Sequence, residues 1–234
     1  MYNGLCALNI ANSAVAKDRC VSIAEFRRMW YAETWKGVED MARKNFRNTK
    51  GRIISAAWKL FYEQGYEDTT VEDIVRESQT SKGSFYHYFD GKDALLGTLA
   101  YVFDEKYEEL KETMAPDMSA MEKLIYLNHE LFAMIDGSVS MDLLARLLST
   151  QLLARGEKHL LDRNRTYFKL LRQIISEGQK DGQLRTDRTV NEILRAYALW
   201  ERALLYDWCL SGGEYSLVAY TDQVTPQFLG SYGT

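Results

Sequence analysis

The stretch TVEDIVRESQTSKGSFYHYFDGKDALL, which begins at Thr70, restricts the possible folds of this chain more than any other. Thr70 is suited to cap a helix, and Val71, Ile74 and Val75 follow it as an apolar stripe at helical spacing. A polar break of about four residues then precedes Ser81, which can cap a second helix. The pattern therefore predicts two short helices joined by a tight turn, which is the helix-turn-helix arrangement.

The second of these helices has two faces of different chemistry. Phe85 and Phe89 are one turn apart and can pack inward together. The opposite face is left with polar and aromatic side chains, namely those of Lys82, Ser84, Tyr86 and His87. A short helix with an apolar back and a front of this kind suits the major groove of DNA.

The segment resembles the DNA-binding domain of the TetR (tetracycline repressor-like) family of transcriptional regulators. The resemblance is close over about 45 residues, from Thr49 to Leu96, and beyond them it holds in helical layout but not in motif. The matching residues are Gly65, Tyr66, Thr70, Ile74, the run from Ser81 to Phe89, Lys92 and Leu95. The resemblance implies an all-α fold, with an N-terminal three-helix helix-turn-helix DNA-binding domain and a C-terminal helical domain for ligand binding and dimerisation.

The turn departs from the Gly-Val that is usual in that family. Gln79 and Thr80 occupy the two positions in this chain. If position 79 needs a positive φ, glutamine costs roughly 1 kcal/mol there relative to glycine. Thr80 offers less apolar surface to the core than valine would. These changes affect the rigidity of the turn and remove no DNA contact.

Composition also favours an all-α protein. The 234 residues include only two prolines, which allows long helices, and alternating β patterns are hard to find. No apolar run approaches the ~18–20 residues of a membrane span. The three cysteines are widely spaced without a CxxC pair, so they suit a reducing cytoplasm and predict neither a disulfide framework nor a zinc site. The sequence thus indicates a cytoplasmic protein with no membrane contact and no metal or other cofactor.

The distribution of charge favours a nucleic-acid partner although the net charge is -4. Between Met41 and Leu60 there are six basic residues and no acidic ones. From Ala94 to the C-terminus there are 15 basic and 20 acidic residues. A basic segment in front of the helix-turn-helix, with an acidic body behind it, is the electrostatic pattern expected of a protein that binds phosphate groups.

We divide the chain into an N-terminal extension (1–40), a helix-turn-helix DNA-binding domain (41–93) and a helical ligand-binding and dimerisation domain (94–234). The sequence after Met41 looks like the usual beginning of a TetR-like protein. One hypothesis is that translation starts at Met41, and the alternative is an extension that adds DNA or partner contacts. The intact mass of the native protein distinguishes the two.

Apolar periodicity and candidate caps predict the remaining helices. The first, over 49–64, has an apolar stripe and ends before Gly65, a typical C-cap residue. The stripe consists of Ile53, Ile54, Ala57, Leu60 and Phe61. Further helices are predicted over 92–113, 119–135, 140–154, 157–180 and 189–210, with a short helix before Pro226 and a loose end after it.

The predicted helix over 189–210 is apolar around most of its circumference, from Val190 to Trp208 and Cys209. Such a helix in a globular protein must be buried on more than one side, and a second copy of the chain can cover the outer side. The predicted helix over 157–180 also has a broad apolar face. In TetR-like proteins the last two long helices of each subunit form a four-helix dimer bundle, so the resemblance implies a homodimer.

The resemblance assigns DNA contacts to the helix-turn-helix and its surroundings. It implies phosphate contacts by Thr70, Tyr86, Tyr88 and Lys92, since the helix N-terminus at Thr70 offers free N–H groups to an anion and Lys92 begins the next helix as a mobile charge. Ser81 is a further candidate for DNA contact. Tyr88 is alternatively a half-buried packing residue. Candidates for base contacts are Lys82, Gly83, Ser84 and His87, and candidates for additional contacts from the preceding segment are Lys50 and Arg52. Double-stranded operator DNA is the implied partner.

Sensing of a small molecule is the second expected function. Methionine lines adaptable apolar pockets, although it is also an ordinary core residue, and five of the eight methionines lie between Met114 and Met141. The candidate ligand-binding residues are Met114, Met118, Tyr126, His129, Phe132, Met134, Tyr167 and Trp200. An apolar, methionine-rich body favours a lipophilic or aromatic effector.

The sequence therefore predicts a sequence-specific transcriptional regulator, a ligand-responsive repressor that binds a palindromic operator as a dimer. The alternative is a TetR-like DNA-binding protein that responds to a protein partner or acts without a ligand. The chain has only three histidines and no GxSxG, HExxH or phosphate-cradling loop, so it is not expected to be an enzyme. Loss of DNA affinity on adding a ligand would separate a sensor from the alternative.

Overall fold

The computed structural model describes residues 49–153 and 158–234, so the predicted extension over 1–40 lies outside the described residues. Within these ranges the chain is all-helical, which confirms the predicted fold class. The ten α-helices are α1 (Thr49–Glu63), α2 (Val71–Glu77), α3 (Lys82–Tyr88), α4 (Lys92–Leu96), α5 (Leu99–Thr113), α6 (Ala120–Ser138), α7 (Met141–Leu153), α8 (Thr166–Lys180), α9 (Val190–Leu210) and α10 (Leu217–Gly230). One 3-10 turn, His159–Leu161, precedes α8.

The first four helices surround a hydrophobic core of their own. All five residues of the predicted stripe on α1 are buried in it, together with Tyr66, Ile74, Phe85 and Phe89. Gly65 follows α1 with φ 89, a left-handed conformation that glycine adopts without a steric penalty. Leu95 and Leu96 belong to the same core, so it extends a few residues beyond the predicted domain boundary after residue 93.

The helix predicted over 92–113 is two helices, α4 and α5, separated at Gly97 and Thr98. The Thr98 hydroxyl donates to the Leu95 carbonyl at 2.6 Å and accepts a hydrogen bond from Trp58 Nε1 at 2.7 Å. A Cβ on Gly97 would lie 2.5 Å from the ring of His159. Packing against distant parts of the chain therefore divides the helix, and local periodicity carries no signal of it.

The helix predicted over 157–180 begins only at Thr166. The preceding residues are a 3-10 turn and a tight turn in which the Asp162 carboxylate accepts the Asn164 N–H at 2.9 Å. Arg165 at the N-cap position is buried and forms an ion pair with Asp104 at 2.9 Å. The local hydrogen bond at Asp162 and the long-range ion pair of Arg165 compete with helical hydrogen bonds, so the prediction was wrong over the first part of this helix.

The tail was predicted as a short helix before Pro226, and this prediction was also wrong, because α10 continues through Pro226 to Gly230. Proline removes one backbone donor and costs about 3 kcal/mol in an isolated helix interior. Tertiary packing offsets this cost, since α10 lies against α6 and buries residues spaced at four along one face. These residues are Leu217, Thr221, Thr225 and Leu229.

The helices from α5 onward form a second core. Its largest fully buried side chains are aromatic, among them Tyr107, Phe132 and Tyr197. Capping boxes at Ser119 and Thr189 start α6 and α9 close to the predicted positions. None of the helices in the described parts of the chain is both long and apolar enough to cross a membrane.

Candidate functional site

The helix α3 presents the two faces that its sequence predicts. Phe85 and Phe89 are buried in the first core, whereas Lys82, Gly83 and His87 are exposed. The side chains of Tyr86 and Tyr88 are 49% and 40% exposed, so both rings are accessible. Ser84 is partly exposed. The predicted DNA-reading residues therefore lie on one open surface.

Two N-terminal caps orient the helices of this surface. The Thr70 hydroxyl accepts the Asp73 N–H at 3.1 Å, and the Asp73 carboxylate accepts the Thr70 N–H at 3.1 Å, which is a capping box. The Ser81 hydroxyl accepts the Ser84 N–H at 3.0 Å and contacts the Ser84 hydroxyl at 2.8 Å. Each cap keeps a helix N-terminus at the exposed surface, where free N–H groups can approach a phosphate.

The turn between α2 and α3 has the left-handed residue that its sequence suggested. Gln79 adopts φ 52 and is the one non-glycine residue with positive φ in the described ranges. The Thr80 hydroxyl lies 2.8 Å from the Ser78 hydroxyl.

Arg52 holds this turn. Its Nε and Nη2 donate to the Ser78 carbonyl at 3.0 and 2.7 Å, and Nη2 also donates to the Gln79 carbonyl. The predicted DNA-contact residue therefore supports the turn in this conformation, a role that sequence reasoning missed. An arginine one turn into the first helix is too common a feature to have indicated it.

Lys92 and Lys50, also predicted to contact DNA, contact other residues of the first domain. Lys92 Nζ donates to the carbonyls of Tyr66, Glu67 and Thr69 at 2.8, 3.2 and 3.2 Å, and lies 4.3 Å from the centroid of the Tyr66 ring. Lys50 Nζ lies 6.0 Å from the Phe89 ring centroid. Lys92 thus orders the loop after α1.

Lys82 forms an ion pair across the helix-turn-helix. Its Nζ lies 2.5 Å from Oε1 of Glu72, and both side chains are about 60% exposed (60% and 63%). The hydrogen bond raises the pKa of Lys82 and lowers the pKa of Glu72. The pair aims the Lys82 ammonium along the exposed surface, and a DNA phosphate or base can compete with Glu72 for it.

A cavity of about 50 Å³ lies in the second domain between α5, α6, α7, α8 and α9. Most of its lining is apolar, with one group of leucines contributed by α7: Leu144, Leu147 and Leu148. Five side chains with polar groups also line it, namely Tyr107, Arg165, Tyr167, Glu201 and Arg202. An apolar cavity with a few convergent polar groups is the usual form of a small-molecule site.

The polar groups of the cavity centre on the buried carboxyl of Glu201. Tyr167 Oη donates to Glu201 Oε2 at 2.5 Å, and Asn128 Nδ2 donates to Oε1 at 3.1 Å. Asn128 Oδ1 in turn accepts from the Thr225 hydroxyl at 2.9 Å. Burial raises the pKa of Glu201 above its usual range, and the two hydrogen bonds from Tyr167 and Asn128 oppose that shift.

The cavity gathers one of the eight candidate ligand-binding residues, Tyr167. Phe132 and Met134 are buried core residues, while Met114, Met118 and Tyr126 are partly exposed outside the lining. His129 is partly exposed and contacts Asp222 at 2.9 Å, and Trp200 stacks on Phe228 at 4.8 Å. The methionine cluster therefore does not coincide with this cavity. Glu201 and Tyr107, which do line it, were missed because each sits at an ordinary position of a long helix.

The helix α7 connects the cavity with the DNA-binding domain. Leu144 and Leu147 face the cavity, whereas Leu143 packs against the first core. Arg146, on the same side as Leu143, lies 2.5 Å from the Glu67 carboxylate and 5.0 Å from the centroid of the Tyr66 ring. One helix thus touches both the candidate effector site and the loop that Lys92 holds.

The outer face of α9 carries an exposed apolar stripe. Leu199, Ala203, Tyr206 and Leu210 follow one another at spacings of four, three and four, and all are exposed. The opposite face of α9 is buried in the second core. This spacing is the heptad pattern by which two helices pack together.

A helix-turn-helix with an exposed α3, joined to a helical domain with a partly open cavity, is the arrangement of a helix-turn-helix transcriptional regulator. Residues 53–99 match the family described as "Bacterial regulatory proteins, tetR family". The "Probable HTH-type transcriptional regulator YttP" of Bacillus subtilis is 30% identical over 154 residues, which are 59% of this chain and 69% of that protein. The chain belongs to the tetR family, whose members are regulators and not enzymes.

Two further comparisons place the chain among known regulators. The "HTH-type transcriptional regulator HbdR" of Aromatoleum sp. (strain CIB) is 34% identical over 146 residues, which are 62% of this chain and 56% of HbdR. The chain therefore spans just over half the length of HbdR. The structure of Thermus thermophilus FadR in complex with lauroyl-CoA matches with a TM-score of 0.64 at 21% identity, covering 78% of this chain and 92% of that one. This second likeness shows the fold.

Proposed function

We propose that the protein is a ligand-responsive repressor that binds a palindromic operator as a homodimer in the cytoplasm. The observation that carries the DNA-binding part is the exposed face of α3, with Lys82, Gly83 and His87 in front of a buried apolar back. Phosphate contacts from Thr70, Tyr86 and Tyr88 position the helix, and contacts from Lys82, Ser84 and His87 read bases.

The experiment is binding of the purified protein to a fluorescent duplex that carries its own upstream intergenic region, at two salt concentrations. Specific binding resists competitor DNA, and log affinity falls by about 0.9 per released counterion for each unit of log salt. The Lys82→Ala variant loses affinity, whereas Lys111→Ala, an exposed lysine at the end of α5, is the matched control and keeps it. If the protein binds this duplex and unrelated duplexes equally weakly, the proposal that it recognises an operator in its upstream region is contradicted.

The dimer is proposed to form through α9 and α10. The apolar stripe on α9 faces away from the core, and α10 packs beside α9. The helix α8, which the family resemblance also assigns to the bundle, buries Tyr167, Phe168, Leu171 and Ile174 within the chain, so the proposal gives the contact to α9 and α10. Two copies related by a two-fold axis would present two α3 helices to half-sites about 34–36 Å apart.

The effector is proposed to enter the cavity and displace α7. At about 50 Å³ the cavity is much smaller than the engineered cavity of roughly 150 Å³ that admits benzene, so a ligand must move the walls apart. The helix α7 contributes three leucines to the cavity wall, and its Arg146 contacts Glu67 in the loop after α1. A displacement of α7 therefore reaches that loop of the DNA-binding domain. The ligand then favours a conformer whose reading helices no longer match the half-site spacing.

Screening for the effector starts from lipophilic and aromatic compounds, as the apolar lining favours. The solved FadR structures of Thermus thermophilus and Bacillus subtilis contain lauroyl-CoA and stearoyl-CoA, so acyl-CoA thioesters belong in the screening set. Release of operator DNA by any of these compounds supports the sensor. A regulator that keeps its DNA affinity with all of them corresponds to the alternative, control by a protein partner or no ligand at all.

A further inference from the structure

Tyr107 stands out among the side chains that line the cavity. Its hydroxyl is buried and has no hydrogen-bond partner, the one such atom among the side chains that the structure describes. Its ring lies 5.0 Å from that of Tyr167, and both rings border the cavity. A buried hydroxyl without a partner is unfavourable, so a ligand that accepts a hydrogen bond from it removes that cost.

The neighbouring carboxyl is already satisfied in its present arrangement. Both oxygens of Glu201 accept hydrogen bonds, one from Tyr167 and one from Asn128. Tyr107 is therefore the unused donor of the cavity, while Tyr167 and Asn128 are held in place by Glu201.

The charges around the cavity restrict the ligand further. Arg165 and Arg202 line it, and Arg165 is paired with Asp104 and with the Ala100 carbonyl at 2.8 Å. Two guanidinium groups disfavour an ammonium group in this space, and a mostly apolar lining disfavours the loss of hydration that a carboxylate beside Tyr107 would suffer. A neutral oxygen is the group that suits the Tyr107 hydroxyl.

We propose that the effector has an apolar body and a neutral oxygen, as in a phenol, alcohol or ketone. This oxygen accepts a hydrogen bond that the Tyr107 hydroxyl donates. This proposal rests on the proposed sensing function and names the ligand class of the same cavity. It makes Tyr107 the residue that separates oxygen-bearing effectors from hydrocarbons of the same shape.

The test uses three small aromatic probes on the full chain: 4-ethylphenol, acetophenone and ethylbenzene. Calorimetry with the wild-type protein is expected to give Kd values roughly 5- to 10-fold lower for the two oxygen-bearing probes than for ethylbenzene. In Tyr107→Phe the oxygen-bearing probes and ethylbenzene are expected to have about equal Kd values. Tyr126→Phe, which changes a tyrosine outside the cavity lining, keeps the wild-type preference.

A second readout does not depend on any probe. Tyr107→Phe removes the unpartnered hydroxyl, so the Tm of the ligand-free protein is expected to rise by roughly 2–4 °C. A lower Tm, a preference that survives in Tyr107→Phe, or no saturable binding of any probe overturns the proposal. Operator binding, measured on the same samples without probe, reports on the proposed regulatory function separately.

Discussion

At the scale of single residues, the Lys82–Glu72 pair governs how freely the reading surface meets DNA. The carboxylate of Glu72 holds the Lys82 ammonium at 2.5 Å and also adds a negative charge beside the phosphates that the helix approaches. Binding must exchange one ionic partner for another, so the pair tunes affinity downward.

Replacing Glu72 with glutamine is therefore expected to strengthen operator binding. We expect a gain of roughly 2- to 5-fold at low salt that shrinks as salt rises, because the effect is electrostatic. Fluorescence anisotropy with the operator duplex measures it. Glu77→Gln is the matched control, since Glu77 pairs with Lys59 at the same 2.5 Å on α1 and not on the reading helix. An equal gain in both variants would show a general charge effect.

Glu201 makes the stability of the second domain depend on pH. Its pKa is raised by burial, so it binds a proton more readily in the folded state than in the unfolded state. The stabilisation of the folded state by this proton is fully present below the unfolded pKa of about 4.3. It is lost as pH rises through the higher pKa of the folded state. Thermal melting of wild type and Glu201→Gln across pH 4–8 should show the variant gaining relative stability with rising pH. A constant difference would contradict the shift.

At the scale of elements, the caps and the apolar periodicity of the helix-turn-helix could be predicted from sequence. Thr70 and Ser81 cap as expected, and the predicted apolar residues of α1, α2 and α3 are buried in the first core or packed against it. The errors lie where distant packing decides. The break at Gly97 depends on His159, and the passage of α10 through Pro226 depends on α6. Neither partner is visible within a local window of sequence.

Gln79 is the element-scale position where local strain can be removed. Because its φ is 52, Gln79→Gly is expected to raise the free energy of unfolding by roughly 1 kcal/mol, or the Tm by roughly 2–4 °C. Gln173→Gly, in the middle of α8 and exposed, should lower stability by a similar amount. Differential scanning calorimetry compares the two. A destabilised Gln79→Gly would mean that the Gln79 side chain contributes more than the strain costs.

The turn also links this strain to Arg52. Because the Arg52 guanidinium holds the Ser78 and Gln79 carbonyls, Gly at position 79 leaves a more flexible turn that depends more on this arginine. Combining Arg52→Ala with Gln79→Gly is therefore expected to lower operator affinity more than the sum of the single changes. A double-mutant cycle of binding free energies measures the coupling, and additivity would show that the two residues act independently.

At the scale of the whole molecule, the candidate site was only partly predictable. The reading surface is built from one contiguous segment with its own motif, so the sequence indicates it directly. The cavity is assembled from five helices, and its polar residues come from positions far apart in the chain, such as Tyr107 and Glu201. Composition indicated an apolar sensing domain, but the spatial convergence of these residues depends on the tertiary fold.

The assembly gives a prediction at this scale. Leu199→Arg places a charge in the exposed stripe of α9 and is expected to shift the protein toward monomers, with operator affinity falling at least 10-fold because one half-site is then lost. Sedimentation velocity reports the oligomeric state. Leu161→Arg, an exposed leucine outside the stripe, is the control. A dimer that persists in Leu199→Arg would exclude this face as the interface.

The helix α7 contacts both the cavity and the DNA-binding domain, and this has a consequence for how such a regulator responds in a cell. Coupling between two ligands of one protein is reciprocal, so an effector that weakens operator binding tenfold is itself bound tenfold more weakly by the DNA-bound protein. The concentration needed for half-maximal release then rises with the amount of operator present. A strain that carries extra operator copies would need more effector to respond, although no residue of the protein had changed.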